Sequence, residues 1–506
     1  MILIVDFGGQ TCHLIGKRLR ELNIDSHITE PEHALEEIEK QKPAGIILSG
    51  GPSSVYEKGA PTIDKKIFEL DVPVLGICYG QQLMSHLLGG NVEPGKTKEY
   101  GPATLSVKTQ CDLTNKTNNS FTVWMSHGDE VKKLPNGFYT YATTETIPHA
   151  MIADPAKSLY GIQFHPELIH TQFGLQILEN FAWLVCGLKT TMQKIDKKHV
   201  QILVDLVQES IPSGTAICAL SGGVDSSVAA LLVHRAIGSR LTCIYVDSGL
   251  MRKGETQELR QVFKDHFRMD VRIVKAKKLF LDRLKNVTDP EKKRKIIGKA
   301  FIDVLTKEAK KLNANYLVQG TIYPDVIESA GTKHSKNIKS HHNVGGLPKT
   351  LKLSLVEPLR EFYKNDVREI GAVLDLPKSI VQRRPFPGPG LGIRIIGEVT
   401  DKKLNILREA DAIVREELEK TDNTIWQISV VFTGIKTTGV RGDARAYGET
   451  IGIRAVEAID AMSAHPSPIP HEVLRKISSR IVNEIPTVNR VVYDITDKPP
   501  ATIEWE

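Results

Sequence analysis

The stretch Val72-Pro73-Val74-Leu75-Gly76-Ile77-Cys78-Tyr79-Gly80-Gln81-Gln82 decides how the first part of the chain is read. Its short apolar run from Val72 to Ile77 fits a fully buried strand, and Gln81 to Leu88 fits the helix that follows. Gly76 and Gly80 bracket the cysteine in a Gly-x-Cys-x-Gly turn, the layout of a nucleophile elbow with Cys78 at the serine position. The two glycines permit a tight turn that pushes the thiol outward at the C-terminal end of the strand. The positive end of the following helix favours an anionic sulfur there. In open α/β sheets, ligands bind at strand ends of this kind.

Working outward, Ile2 to Val5, Gly45 to Leu48 and Leu159 to Phe164 also read as buried strands, and His13 to Leu22 as a helix. This alternation predicts an open, mainly parallel α/β sheet over residues 1–190. The polar, basic stretch Lys189 to Lys198 reads as a linker. A second α/β unit, 191–383, has expected strands at Ala216 to Leu220, Thr242 to Val246, Val271 to Val274 and Tyr316 to Gln319. The cluster Pro385-Phe386-Pro387-Gly388-Pro389-Gly390 interrupts regular structure and marks a third segment, 384–506. There, helical patterns at 402–420 and 471–484 accompany strands near 427–434, 451–456 and 490–494, which predicts a small α+β domain. The expected class is α/β, with two open, mainly parallel domains and a small α+β C-terminal one.

Composition narrows the function classes. The 506 residues are 41% hydrophobic and 25% charged, as in ordinary globular chains. No apolar run approaches the roughly 18 residues a membrane helix needs. The start Met1 to Asp6 lacks a basic flank and a small-residue cleavage site, so it reads as a strand rather than a signal peptide. A cytoplasmic chain without membrane association is expected. Six cysteines without CxxC or zinc spacing argue against a disulfide framework or structural zinc. A net charge of +6, from 66 basic and 60 acidic residues, suits small anionic substrates but not nucleic acid. The basic run Lys292-Lys293-Arg294-Lys295 alone reads as a solvated helix face.

A cysteine nucleophile needs a base, and the base needs an orienting partner. Gly161-Ile162-Gln163-Phe164-His165-Pro166-Glu167 offers both, because residues two apart on an extended chain share a side. Pro166 keeps His165 out of helical geometry. Leu48-Ser49-Gly50-Gly51-Pro52 supplies a glycine-rich turn at another strand end, a source of backbone donors for an oxyanion. Singly, each piece has an ordinary reading: a lone cysteine is usually core and a lone His-Pro usually a loop. Together and in this order, residues 1–190 resemble a class I glutamine amidotransferase. The resemblance implies a triad of Cys78, His165 and Glu167, oxyanion donors at Gly51 and Tyr79, and a glutamine contact at Gln82. Ile2 excludes the class with an N-terminal cysteine nucleophile.

The second unit opens with Ala216-Ile217-Cys218-Ala219-Leu220-Ser221-Gly222-Gly223-Val224-Asp225-Ser226-Ser227. A strand, a glycine pair and a helix start form an anion nest of consecutive N–H groups. The hydroxyls of Ser221, Ser226 and Ser227 add donors. No Gly-Lys-Ser or Gly-Lys-Thr is present here, which disfavours a Walker A loop. The motif resembles the loop of ATP pyrophosphatases, an adenine-nucleotide α-hydrolase-like fold that grips the β- and γ-phosphates as they leave together. Asp225 is a candidate magnesium ligand or merely a helix cap. Tyr245-Val246-Asp247-Ser248-Gly249 is placed like the adenosine-side loop, with Asp247 and Gly249 as candidates.

Amide-nitrogen release beside ATP cleavage to AMP and pyrophosphate fits adenylylation of an oxygen, then its displacement by ammonia. The segments Gln319 to Ala330, Lys339 to Gly346, Pro385 to Gly390 and Asp497-Lys498-Pro499-Pro500-Ala501-Thr502-Ile503-Glu504-Trp505-Glu506 resemble GMP synthetases. That resemblance, which spans essentially the whole chain, implies XMP, ATP with Mg2+ and glutamine as substrates, with no organic prosthetic group. It implies XMP contacts at Arg294, Asp443, Lys498 and Glu504, and a lid around Lys339, His341 and His342. It also implies a homodimer through residues 384–506. Arg294 is thereby singled out of its basic run, with its neighbours left solvated. Two departures are local: Arg384 stands where the family has histidine, and Thr11-Cys12-His13 where Tyr-Thr-Gln is expected. Two rivals remain at this point, another adenylylating ligase such as an NAD synthetase and a nucleotide sensor with an inactive amidase.

Overall fold

The structure is a computed structural model that describes residues 1–9, 11–188, 195–330, 353–421, 425–441, 444–458, 463–498 and 500–506. For residues 96, 97, 327–330 and 441 it describes the backbone alone. The chain forms two compact units, Met1–Lys194 with Pro324–Ser340, and Ile195–Tyr323 with His341–Glu506.

The first unit is built on β1 (Ile2–Val5), β2 (Ser26–Thr29), β3 (Gly45–Leu48), β4 (Val74–Ile77), β5 (Asn91–Val107), β6 (Ser120–Lys133), β7 (Tyr139–Thr143), β8 (Met151–Asp154) and β9 (Leu159–Ile162). Their order in the sheet is β2-β1-β3-β4-β9-β8-β7-β5-β6. From β2 to β9 the pairing is parallel; beyond β9 it is antiparallel. In β1, Ile2 and Ile4 join one apolar core with Ile47 and Leu75, whereas Leu3 and Val5 join another with Ile46 and Val74. Side chains alternate along a strand, so one covered on both faces is apolar at every position. The antiparallel half goes beyond the expected parallel sheet. In β6, Phe121, Val123, Met125 and His127 point inward while Thr122 and Ser126 are exposed.

The elbow needs its glycines for space. A Cβ on Gly76 would stand 2.6 Å from Gln81 N and Gly80 O, and one on Gly80 would stand 2.3 Å from Leu48 O. Helix Tyr79–Leu87 therefore starts directly beneath the β3 and β4 ends.

In the second unit, β10 (Ala216–Ala219), β11 (Leu241–Asp247), β12 (Asp270–Lys275), β13 (Tyr316–Val318) and β14 (Ser354–Val356) pair in parallel, in the order β12-β11-β10-β13-β14. The chain leaves β10 toward β11 on one side and returns to β13 on the other. The C-terminal end of β10 is therefore a topological switch point, where parallel sheets open a crevice. Then come β15 (Gln427–Arg441), β16 (Ala444–Glu457), β17 (His465–Pro466) and β18 (Val488–Tyr493), with helices Asp401–Leu418 and His471–Glu484. One apolar core joins Ile217, Ile244 and Val246 to Leu391, Leu407, Ile428, Ile451 and Ile477, so packing continues across the Pro385 to Gly390 segment.

Lys293 corrects the expectation of solvated neighbours around Arg294, because it is 0% exposed. Helix Pro290–Lys311 buries Lys293, Ile297, Ala300, Val304 and Glu308, which recur at helical spacing on one face. Lys293 Nζ donates to Ile395 O at 2.7 Å and pairs with the Glu506 carboxylate. Burial lowers its pKa against the pull of Glu506. All six cysteines are free. Among the described residues, no helix is long and apolar enough to cross a membrane.

Candidate functional site

Three neighbouring strand ends, those of β3, β4 and β9, assemble the first site. Gly50 and Gly51 follow β3, Cys78 follows β4, and His165 lies three residues beyond β9. Cys78 adopts φ +51° and ψ −104°, in the positive-φ region that L-residues seldom occupy. Strain of this kind persists where the surroundings over-determine the backbone, and it clusters at functional turns. Here Cys78 N donates to Ile162 O at 2.7 Å, Gln82 N donates to Cys78 O at 3.1 Å, and the helix starts at the next residue.

His165 and Cys78 meet on one side of Gly50. A Cβ placed on Gly50 would stand 3.1 Å from His165 Cε1 and 3.8 Å from Cys78 Cβ. His165 Nδ1 lies 2.7 Å from Glu167 Oε1, and Glu167 is fully buried. The backbone around them is tied down. His165 N donates to Trp124 O at 3.0 Å, Thr171 Oγ1 to His165 O at 2.6 Å, and Arg18 Nε to Glu167 O at 3.0 Å. Burial pulls the imidazole pKa down. The Glu167 charge, hydrogen bonds to Cys78 and Glu167, and the Cys78 charge outweigh that and hold it well above its ordinary value. A histidine held this way can take a proton from sulfur and return it to a leaving nitrogen.

Gly51 packs beside Tyr79, with a notional Cβ 3.2 Å from Tyr79 Cγ and 2.9 Å from Phe7 O. The Tyr79 N–H belongs to the first helical turn, whose donors have no partner within the helix. Gln82 is buried, and its Nε2 donates to Asp129 O at 2.9 Å and to Gln163 Oε1 at 3.1 Å. Cys12 is a buried core residue, its thiol pKa raised well above the ordinary value by burial and by Asp6.

At the end of β10, Gly222 has φ +81° and Gly223 precedes helix Val224–Ile237. Ser226 Oγ and Ser227 Oγ donate to Gly223 O at 3.1 and 2.7 Å, and Ser226 Oγ also accepts from Ser221 N at 3.2 Å. The Ser226 and Ser227 hydroxyls thus shape the loop from within, both side chains being buried. Gly320, just after β13, approaches so closely that a Cβ would stand 2.7 Å from the Asp225 carbonyl carbon. Asp247 Oδ1 accepts from Gly249 N at 3.2 Å, and Gly249 has φ +73°.

Three charged groups at this loop, Arg383, Glu255 and Lys364, stood in no marked motif. Arg383 Nη1 donates to Gly222 O at 2.7 Å and pairs with Glu255, and Lys364 pairs with Asp225 Oδ2. Asp225 Oδ1 is buried with no hydrogen-bond partner. Among the described residues no group of three or more His, Cys, Asp or Glu could hold a metal ion. A cation carried in with phosphate groups needs only one or two protein carboxylates, so an orphaned Asp225 oxygen beside the nest fits magnesium.

Among the residues singled out for a nucleotide acceptor, Arg294 Nη2 donates to Glu506 O, and Glu504 binds Arg394 and Gln427. The Lys498 backbone pairs with Ala464 in both directions, at 2.8 and 3.1 Å. Asp443, Lys339, His341 and His342 lie outside the described residues. Sequence reading missed Arg394, Arg383, Lys364 and Gln163. Only Gln163 carried a signal, since it stands two residues before His165 on an extended segment.

Family models match three successive segments. Glutamine amidotransferase class-I covers residues 3–185, Thiamine biosynthesis protein (ThiI) covers 211–370, and GMP synthase C terminal domain covers 415–505. The chain is 52% identical over 509 residues to a Bacillus licheniformis protein named GMP synthase (glutamine-hydrolyzing), covering 100% of this chain and 99% of that one. Proteins of the same name from Clostridium tetani and Bacillus subtilis are each 51% identical at the same coverage.

Proposed function

The chain belongs to the glutamine-hydrolysing GMP synthases, and from that membership we propose which of its residues carry each half of the reaction. The enzyme is a ligase of purine biosynthesis. It hydrolyses glutamine to glutamate and ammonia, adenylylates XMP with ATP, releasing pyrophosphate, and aminates the product to GMP with release of AMP.

Residues 1–190 are the glutaminase. The Cys78 thiolate, its proton held on His165 Nε2, attacks the glutamine side-chain amide carbon. The carbonyl electron pair moves onto oxygen, opposite the N–H groups of Gly51 and Tyr79. Collapse breaks the C–N bond, the leaving nitrogen takes the proton from His165, and ammonia departs. Water then adds to the thioester, gives a proton to His165, and releases glutamate with the thiolate restored. Glu167 keeps the Nδ1 hydrogen in place and steadies the imidazolium, and Gln82 contacts the substrate. The observation that carries this reading is the 2.7 Å His165–Glu167 hydrogen bond beside a cysteine at φ +51°.

Residues 191–383 adenylylate XMP. Its C2 oxygen attacks the α-phosphorus of ATP, and pyrophosphate leaves into the nest of Ser221, Gly222, Gly223, Val224, Asp225, Ser226 and Ser227. Asp247 and Gly249 face the adenosine side. Asp225 holds magnesium, which, when bound, neutralises charge on the phosphates. Ammonia then adds at C2, expels AMP and loses a proton, giving GMP. Arg294, Asp443, Lys498 and Glu504 contact XMP under a lid containing Lys339, His341 and His342. Residues 384–506 form a homodimer interface, supported by the exposed apolar side chains Ile435, Val440 and Tyr447 on β15 and β16. The enzyme works in the cytoplasm, where its nucleotide substrates are.

The test is stoichiometric. With XMP, ATP and glutamine, the GMP, AMP, pyrophosphate and glutamate formed should appear in equal amounts. ADP in place of AMP, or GMP without matching glutamate, would overturn the assignment.

A further inference from the structure

The Cys78 sulfur has two close neighbours besides His165. Gln163 Nε2 lies 3.5 Å away, and the Ser126 carbonyl oxygen lies 3.7 Å away. Gln163 is 1% exposed, so its amide is not shared with bulk water. Which end of that amide meets the sulfur follows from Gln82. Its Nε2 reaches Asp129 O at 2.9 Å and Gln163 Oε1 at 3.1 Å, which uses both of its hydrogens. Gln163 therefore presents oxygen to Gln82 and N–H to sulfur. Turning the Gln163 amide over would set two NH2 groups against each other, and turning Gln82 would set its oxygen against two others.

The far end of this chain is anchored too. Asp129 O also faces His127 Nδ1 at 3.0 Å, and His127 Nε2 faces Glu99 Oε2 at 3.3 Å across the β5–β6 pair. The two partners of the sulfur suit different protonation states. A carbonyl accepts from S–H, whereas an amide N–H donates to a sulfur anion, and a hydrogen bond to an ionised acceptor is the stronger kind. Gln163 is uncharged, so it stabilises the anion without competing with His165 for the proton.

We propose that Gln163 is a further catalytic residue of the glutaminase, donating its amide N–H to the Cys78 thiolate, with Gln82 locking the amide in the donating orientation. This inference rests on the triad reading above. It gives Gln82 a second task, holding Gln163, beside any contact to substrate.

The experiment uses the full-length enzyme with Gln163→Glu, nearly the same shape, and Gln163→Leu, which removes the donor. Glutamate release with XMP and ATP present should fall in kcat by roughly 10- to 100-fold in both variants, with KM for glutamine moving less than about threefold. GMP formation from ammonium should be retained, which reports an intact fold. Alkylation of Cys78 by iodoacetamide, followed across pH by mass spectrometry, should shift to higher pH in both variants, further in Gln163→Glu. A merely structural role would leave that profile unmoved. The inference falls if kcat and the alkylation profile stay within about twofold of wild type in both variants. If Cys78→Ala itself still hydrolyses glutamine, it is the triad reading that fails, so the two failures are distinguishable.

Discussion

Arg394 grips Glu504 through two parallel hydrogen bonds, Nε to Oε2 at 3.0 Å and Nη2 to Oε1 at 2.8 Å. Arg394 is 0% exposed. Burial opposes its charge, but Glu504 and Asp411 outweigh that and raise its pKa. Gln427 shares Glu504 Oε1, and the Phe386 ring lies 5.2 Å from the Arg394 guanidinium carbon. The fork ties the segment near the C-terminus to the core of the second unit. A planar guanidinium suits such a two-pronged hold on a carboxylate.

Removing Glu504 should leave the buried Arg394 charge facing only Asp411, 3.5 Å away. Glu504→Ala is expected to cost about 3 kcal/mol of unfolding free energy, and the double change Arg394→Met with Glu504→Leu should recover most of it. Urea unfolding of the three proteins, wild type included, measures this. A Glu504→Ala loss below about 0.5 kcal/mol would show that Asp411 alone satisfies the arginine.

Cys78→Ala should abolish glutamine hydrolysis and spare GMP formation from ammonium, because the thiol takes part in one half-reaction only. Both rates are read in one assay with the two nitrogen sources. Loss of both together would mean that the two chemistries are not divided between sites as proposed.

Glu167→Gln should lower the glutaminase kcat by roughly 100-fold or more, since it removes the partner that holds the imidazole. The stability consequence has a definite sign. The folded His165 pKa is raised, chiefly by Glu167 and Cys78 against burial. Its contribution is therefore complete below the ordinary histidine value of about 6.5 and is lost as pH rises through the higher folded value. The gap in unfolding free energy between wild type and Glu167→Gln should shrink as pH rises from about 6 upward. A gap that is flat with pH would argue against a charged imidazole in the folded state.

Asp225→Asn should depress GMP formation from ammonium by roughly 100-fold and raise the magnesium concentration needed for half-maximal rate. The side chain keeps its shape but loses the negative charge shared by its two oxygens, one without a protein partner and one paired with Lys364. A variant with unchanged magnesium dependence would reduce Asp225 to a helix-capping residue.

Much of both sites was legible because their local geometry is set by neighbours in sequence. Gly76 and Gly80 announce the elbow, since a Cβ at either would strike backbone. His165 and Glu167 share a side because they are two residues apart, and they do form a hydrogen bond. At the glycine pair after β10 the requirement is conformational instead, since Gly222 sits at φ +81°. The Lys293 side chain was misread because its charge outweighed its place on the buried helical stripe of Ile297, Ala300 and Val304.

What this sequence determined by itself is the set of turns and strand-to-helix junctions, each fixed by sterics within a few residues. Tertiary structure alone decided which junctions meet. The order β3-β4-β9 sets Gly50, Cys78 and His165 side by side, and the β5–β6 extension supplies Ser126, His127 and Asp129 behind the sulfur. Arg394 and Glu504 found each other across distant segments in the same manner. Such meetings depend on which apolar faces bury against each other, a long-range free energy that no local spacing encodes.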